Sequence, residues 1–218
     1  MTTFHIEELS EPIEDRPAHW PVLGGADLAR GGITVYRRER VRMEDGTEAD
    51  REYTLHPGAV GAIVYDEERD RVLSLCQYRH PVRRLLWELP AGLLDGEGES
   101  PLEAARRELF EEAHLTAGTW NVLADYYNTA GSSNEAMRVF LARGVDEAAG
   151  DQFDRQGEEK TMRPAWLNRV KLTEAVFAGK VTSGAMVVGT LALATALAHP
   201  DGLDSLRPGD APWPARPF

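Results

Sequence analysis

From Ile33 onward the hydrophobic and polar positions fall into short blocks whose period changes along the chain. Ile33 to Met43 and Glu48 to Leu55 read as two strands about Glu44-Asp45-Gly46, an Asp-Gly hairpin signal. Both are rich in charge, so the hairpin has one wet face or pairs with a second subunit. Gly58 to Tyr65 is almost continuously apolar, the pattern of a strand covered on both faces, and it pairs with Val72 to Tyr78 across Asp66 to Asp70. A short strand at Leu86 to Leu89 leads through Pro90-Ala91-Gly92 and an acidic glycine loop into a helix from Pro101 to about Ala113. Strands follow at Thr119 to Tyr127 and Ala136 to Arg143, joined by the small-residue loop Asn128 to Glu135. Gly144 to Thr161 is a long polar loop, a kind that is usually functional or disordered. Met162 to Leu167 is a late strand, with a short helix near Thr173 to Ala178 and an apolar helix near 184 to 198. Residues 1 to 31 show no sustained period and read as an arm whose order depends on packing elsewhere. The tail RPGDAPWPARPF shows neither a helical nor a strand period. This divides the chain into an arm and hairpin (1–56), a central domain (57–199) and a Pro-rich tail (200–218).

Charge narrows the function classes. With 24 Lys and Arg against 36 Asp and Glu, the 218-residue chain carries a formal charge of −12, which argues against nucleic acid or an anionic membrane as partner. The one cysteine, Cys76, reads as a core residue in a reducing compartment. The first residues lack a basic segment and an apolar core, so the expectation is a cytoplasmic protein. The apolar stretch Ala185 to Ala198 is shorter than the ~20 residues a membrane span needs and reads as a buried helix.

Chemistry concentrates on the helix after the glycine loop. Ser100 is an N-cap, Pro101 suits the first helical position, and Glu103 closes a capping box. At about 100° per residue, Leu102, Ala105, Leu109 and Ala113 form an apolar stripe, and Glu108, Glu111 and Glu112 share the neighbouring arc. Like charges at these spacings destabilise an isolated helix by a few tenths of a kcal/mol each. A divalent metal resolves the repulsion, and magnesium is typically held by one or two carboxylates together with substrate phosphates. The bland alternative is a solvated acidic face.

The flanking residues decide between these. Gly92, Glu99, Arg107-Glu108-Leu109 and Glu111-Glu112 resemble the Nudix box, a glycine, five residues, a glutamate, seven residues, then Arg-Glu-aliphatic-x-Glu-Glu-x-Gly-aliphatic. Chance supplies six such identities on the order of 10⁻⁵ times in a chain of this length. The match departs twice: six residues separate Gly92 from Glu99, and His114 stands where the closing glycine is usual. The resemblance implies an α+β fold, an α/β/α sandwich with a mixed sheet, to which the N-terminal antiparallel hairpin is added. It implies Glu108 and Glu112 as the main magnesium ligands, joined by the carbonyl of Ala91, with manganese as a substitute. Glu111 assists through a further ion or water, and Gly92, Glu99 and Arg107 are structural.

Beyond the box the chain resembles the ADP-ribose pyrophosphatase branch of that family. Gln77-Tyr78-Arg79-His80 and Leu86-Trp87-Glu88-Leu89-Pro90-Ala91-Gly92 resemble its phosphate-facing arginine and its entry to the box. Ala130-Gly131-Ser132-Ser133-Asn134-Glu135 resembles the loop lining its ribose pocket, with Ala130 replacing the usual proline. Gly157-Glu158-Glu159 is placed like its loop that brings a general base to the attacking water. The resemblance implies hydrolysis of ADP-ribose to AMP and ribose 5-phosphate, with Glu159, or next Glu158, as base and Arg79, Ser133 and Glu135 on the substrate. It also implies a homodimer in which Arg51 and Glu52 serve a neighbour's pocket; the alternative is that these two pair on a wet strand face. An ion pair with Glu88 is the alternative for Arg79. Trp87 and Trp166 read as core residues, with stacking on a base the alternative. A hydrolase of another nucleoside diphosphate sugar, of the GDP-mannose type, and a non-catalytic ADP-ribose sensor are the rival functions.

Overall fold

The structure, a computed structural model, describes residues 12–150 and 161–215. Its strands are β1 (Val22–Arg30), β2 (Val35–Arg42), β3 (Glu48–Leu55), β4 (Ala59–Asp66), β5 (Arg71–Arg79), β6 (Arg84–Glu88) and β7 (Ala91–Leu93) in the first half. Helix α1 (Pro101–Ala113) separates these from β8 (Leu115–Tyr127), β9 (Ala136–Glu147) and β10 (Arg163–Asn168); α2 (Arg169–Phe177), α3 (Gly184–Ala198) and the two-residue β11 (Arg207–Pro208) complete the order.

β4 is apolar at successive positions because both of its faces are covered. Val60, Ala62 and Val64 face α1 with Leu109 and Phe140, while Ile63 and Tyr65 face α2 and α3 with Val139, Leu172, Met186 and Leu193. Burying a side chain such as Leu109, which is fully enclosed, contributes about 1.5–3 kcal/mol. α3 lies close against β4 at Gly189, where a β-carbon would come within 2.7 Å of Ile63. The sheet order is β10-β5-β4-β9-β8-β11, with β4 and β9 parallel and the other pairs antiparallel. The expected α/β/α sandwich with a mixed sheet is therefore observed, and Cys76 is buried in it.

One irregularity positions the site. β4 and β5 pair only beside their turn, at Tyr65 with Val72 and Asp66 with Arg71. Further along they diverge, β6 fills the gap along β5 and β7 along β4. Glu88 to Gly92 is thereby led through the opening of the fork.

Three regions differ from the sequence expectation. Val22–Arg30, inside the presumed unpatterned arm, is a strand on β2, so the expected hairpin is a three-stranded antiparallel sheet. Every β1 position is exposed, which is why no period betrays it. The sheet is tied by cross-strand ion pairs, Arg37 with Asp27, Arg38 with Glu52, and Arg40 and Arg42 with Glu48. β8 and β9 both run past their expected far ends, pairing Leu115 with Glu147, so part of the presumed long loop is strand. α2 starts at Arg169 because Asn168 caps it, its side chain accepting from the Lys171 N–H.

The tail is not loose. Arg207–Pro208 pairs with β8, and the segment beyond it packs Ala211 and Trp213 against the α1-side core. Buried Arg138, near the start of β9, holds it. Its guanidinium donates to both Asp125 oxygens at 2.7 and 2.9 Å and to the carbonyls of Ala211 and Pro212 at 2.7 and 3.0 Å, and lies over the Trp213 ring. Asp125→Ala would leave this buried cation without its counter-charge; we expect a loss of about 3 kcal/mol of stability. That loss appears as a lower urea midpoint with an unchanged slope, and an unmoved midpoint refutes the latch.

Candidate active site

α1 begins as its first four residues require. The Ser100 hydroxyl accepts from the Glu103 N–H at 3.3 Å, the Glu103 carboxylate accepts from the Ser100 N–H at 2.8 Å, and Pro101 supplies the first turn. The helix ends on His114, whose backbone is left-handed at φ 54° and ψ 42° and whose N–H reaches the Phe110 carbonyl. A non-glycine residue thus fills the position where glycine is usual. The additional residue before Glu99 is equally absorbed, because Glu99 still takes a two-pronged contact from Arg107, 2.9 Å to Nε and 3.1 Å to Nη2.

Arg107 also donates through Nη1 to Glu108 at 2.5 Å and Glu111 at 3.3 Å. Its pKa is raised, foremost by the hydrogen bond to Glu99, so it stays charged among the carboxylates. Glu112 is buried, and its carboxylate accepts from the Ala91 N–H at 2.9 Å. Glu108 packs on Gly92, where a β-carbon would stand 2.0 Å from its Oε1. The segment led through the sheet fork therefore meets two carboxylates of the helix face.

Among the described residues no three acidic, histidine or cysteine side chains already converge on one point; Arg107 Nη1 lies between Glu108 and Glu111 instead. The donor set nevertheless suits a hard divalent cation, being carboxylate oxygens beside a backbone segment, and Gly92 leaves the Glu108 carboxylate space that any side chain would take. These residues fit the group that the box implies.

A separate group of residues, Arg51, Glu52, Tyr53, Tyr127, Ala130, Gly131, Ser133 and Asn134, lines a cavity of about 430 Å³. Its volume suits a small-molecule ligand. The loop holding Ser133 is stitched to β3: the Thr54 N–H donates to the Ser132 carbonyl, and Asn134 N–H and Ser133 Oγ donate to the Thr54 carbonyl. Glu135 lies just behind, with its N–H on Ser133 Oγ and its carboxylate 3.8 Å from His56. Burial, with Glu135 adding to it, pushes the Tyr126 hydroxyl up to about 12. A larger cavity of about 540 Å³ lies at the far end of β4, where Asp66 pairs with Arg71 and Arg69.

The candidate residues thus fall into groups. Glu99, Arg107, Glu108, Glu111 and Glu112 form one charged network with Ala91 and Gly92 against it. Arg51, Glu52 and Ser133 share the cavity. Arg51 and Glu52 do not pair with each other: Glu52 takes hydrogen bonds from Tyr36 and Arg38, and Arg51 donates to the Asp50 carbonyl. Arg79 forms the ion pair with Glu88 at 2.7 Å, which Gln77 also holds. Glu158 and Glu159 lie outside the described residues. Trp87 and Trp166 are half-buried, and Trp166 packs against the core with Arg71 stacked on it. Tyr53 and Tyr127 were not anticipated as lining; the tyrosine pair that ends β8 beside a candidate loop was the available signal.

Residues 55–183 match the family model of the NUDIX domain. The ADP-ribose pyrophosphatase of Mycobacterium tuberculosis is 39% identical over 193 residues, spanning 87% of this chain and 89% of that protein. The ADP-ribose pyrophosphatase of Bacillus subtilis is 36% identical over 104 residues, 48% of this chain and 55% of that one. The crystal structure of an ADP compounds hydrolase superposes with a TM-score of 0.70 over 85% of this chain and 97% of its own, at 16% identity, a likeness of fold. The chain belongs to the Nudix family.

If Gly92 is needed for its missing β-carbon, Gly92→Ala displaces Glu108 and weakens Mn²⁺ binding by about ten- to a hundredfold, followed by the free-ion EPR signal. Wild-type affinity in that variant would remove Glu108 from the cation site.

Proposed function

We propose that the protein is a magnesium-dependent pyrophosphohydrolase that converts ADP-ribose and water to AMP and ribose 5-phosphate. The observation that carries this reading is the approach of the Glu108 and Glu112 carboxylates to Ala91–Gly92; a nucleoside-sized cavity lined by Arg51, Glu52 and Ser133 accompanies it. The likeness to the ADP-ribose pyrophosphatase of M. tuberculosis over most of both chains supports the substrate.

Glu108, Glu112 and the Ala91 carbonyl hold Mg²⁺, which Mn²⁺ replaces, and Glu111 assists through a further ion or water. When bound, the cation offsets diphosphate charge and lowers the pKa of the attacking water. Glu159, with Glu158 next, takes the water proton; the water oxygen joins one phosphorus and the bridging oxygen leaves with the other. Arg51, Glu52, Ser133 and Glu135 bind the nucleoside side of the substrate. Arg79, oriented by Glu88, offers its guanidinium to a phosphate. Ala130 in the cavity loop supports a second reading, hydrolysis of another nucleoside diphosphate sugar.

The N-terminal sheet serves as a dimer arm. It leaves Trp20, Val22, Leu23 and Leu28 exposed, and a second copy covers part of this apolar surface. A buried, unpaired Cys76 suits the reducing cytoplasm.

With Mg²⁺, ADP-ribose is turned over in preference to GDP-mannose and UDP-glucose, and chromatography shows AMP; preference for another sugar nucleotide selects the second reading. Glu112→Gln lowers kcat at saturating Mg²⁺ by about 100-fold or more, and wild-type turnover refutes its place on the cation. Glu159→Gln lowers kcat by about 10²–10⁴-fold with little change in KM; an equal loss from Glu158→Gln alone moves the base by one residue. Light scattering after size exclusion gives a dimer, and a monomer at all concentrations removes the dimer arm.

A further inference from the structure

Tyr127 closes β8, and its ring forms part of the wall of the cavity that also holds Arg51, Glu52 and Tyr53. Its hydroxyl donates at 2.7 Å to the carbonyl of Ala215, 88 residues later. The chain therefore returns to this wall after the whole catalytic domain has been built. The returning segment is anchored along its length. β11 pairs Arg207 with Val122 and Pro208 with Asn121, and Arg207 reaches Asp125 at 2.9 Å. Gly209 is pressed on Trp120, where a β-carbon would meet the backbone oxygen at 2.9 Å. Arg138, only 2% exposed, holds the next two carbonyls and Trp213 as described above. A segment held this way presents the Ala215 carbonyl at a defined place.

We infer that this C-terminal strap is part of the substrate site: Ala215 positions Tyr127, and the Tyr127 ring is the surface on which the base of the nucleotide lies. The inference rests on reading the cavity as the nucleoside pocket. A phenol ring offers a base a flat apolar face. A ring 42% exposed would otherwise turn freely about its side-chain bonds, and the carbonyl removes that freedom before the ligand arrives, which lowers the cost of binding. The same strand end carries the loop with Ser133 and Glu135, whose root is closed by the Asn128 N–H on the Glu135 carbonyl at 3.2 Å. One wall thus joins the base and the neighbouring part of the nucleotide.

The test compares wild type with Tyr127→Phe, with a chain ending at Trp213, and with both changes together. Tyr127→Phe keeps the ring and deletes the donor; ending at Trp213 deletes the acceptor and keeps both carbonyls that Arg138 holds. Each change is expected to raise KM for ADP-ribose and the inhibition constant of AMP about two- to tenfold, the worth of one hydrogen bond. Turnover stays within about twofold, inhibition by ribose 5-phosphate is unmoved, and the double variant is no worse than the single ones. Unchanged KM and AMP inhibition in variants of a working enzyme overturn the inference. So does an equal weakening of ribose 5-phosphate, which marks a general loosening of the site. If wild type does not hydrolyse ADP-ribose, the proposed function fails first; AMP titrated calorimetrically into the same proteins then decides the role of the strap alone. Should the shortened chain not fold, Tyr127→Phe carries the comparison.

Discussion

Glu108, Glu111 and Glu112, within two turns of one helix, repel one another and Glu99 of the glycine loop, and the molecule is arranged around that repulsion. Arg107 answers it by spreading one guanidinium over Glu99, Glu108 and Glu111. The prong on Glu99 does more than neutralise charge, because Glu99 belongs to the loop and Arg107 to the helix. It fixes where the loop enters, and so where Ala91 and Gly92 stand relative to Glu112 and Glu108. An arginine suits this position better than a lysine, since only a planar fork serves several carboxylates from fixed directions.

The sheet supplies the complementary half. A continuous β4–β5 ladder would have sealed the edge through which Glu88 to Gly92 reaches the helix face. The two strands instead share only the pairs beside their turn, and the short strands β6 and β7 satisfy the backbone groups that the divergence frees. Fold and site are coupled here by ordinary backbone hydrogen bonding. The α1-side core holds the helix, and the fork brings the loop to it.

Much of this was legible because it is local. Ser100, Pro101 and Glu103 specify the start of α1 within one turn, and the run Gly58 to Tyr65 declares a strand covered on both sides. The carboxylate face follows from helical spacing alone. What was not legible depends on distant partners. β1 is a strand because β2 pairs with it, and its nine exposed positions show no alternation. The tail has a place because of Arg138, an isolated charge in an apolar strand whose partners lie 73 and 74 residues away. Arg79 reads from sequence first as a phosphate-binding residue with an ion pair to Glu88 as the alternative, and in the structure it pairs with Glu88. The resemblance gave Arg51 and Glu52 to a neighbour's pocket; that they line one cavity with Ser133 of their own chain was not legible, since about eighty residues of sheet and helix intervene.

The three-stranded N-terminal sheet and the domain beneath it are held by different forces. The domain rests on two buried apolar clusters, which salt scarcely weakens. The arm rests on backbone pairing and on exposed charge pairs such as Arg38 with Glu52 and Arg40 with Glu48, whose attraction fades as added ions screen it. Two parts with such different dependences answer salt differently, so rising ionic strength loosens the arm before it touches the core.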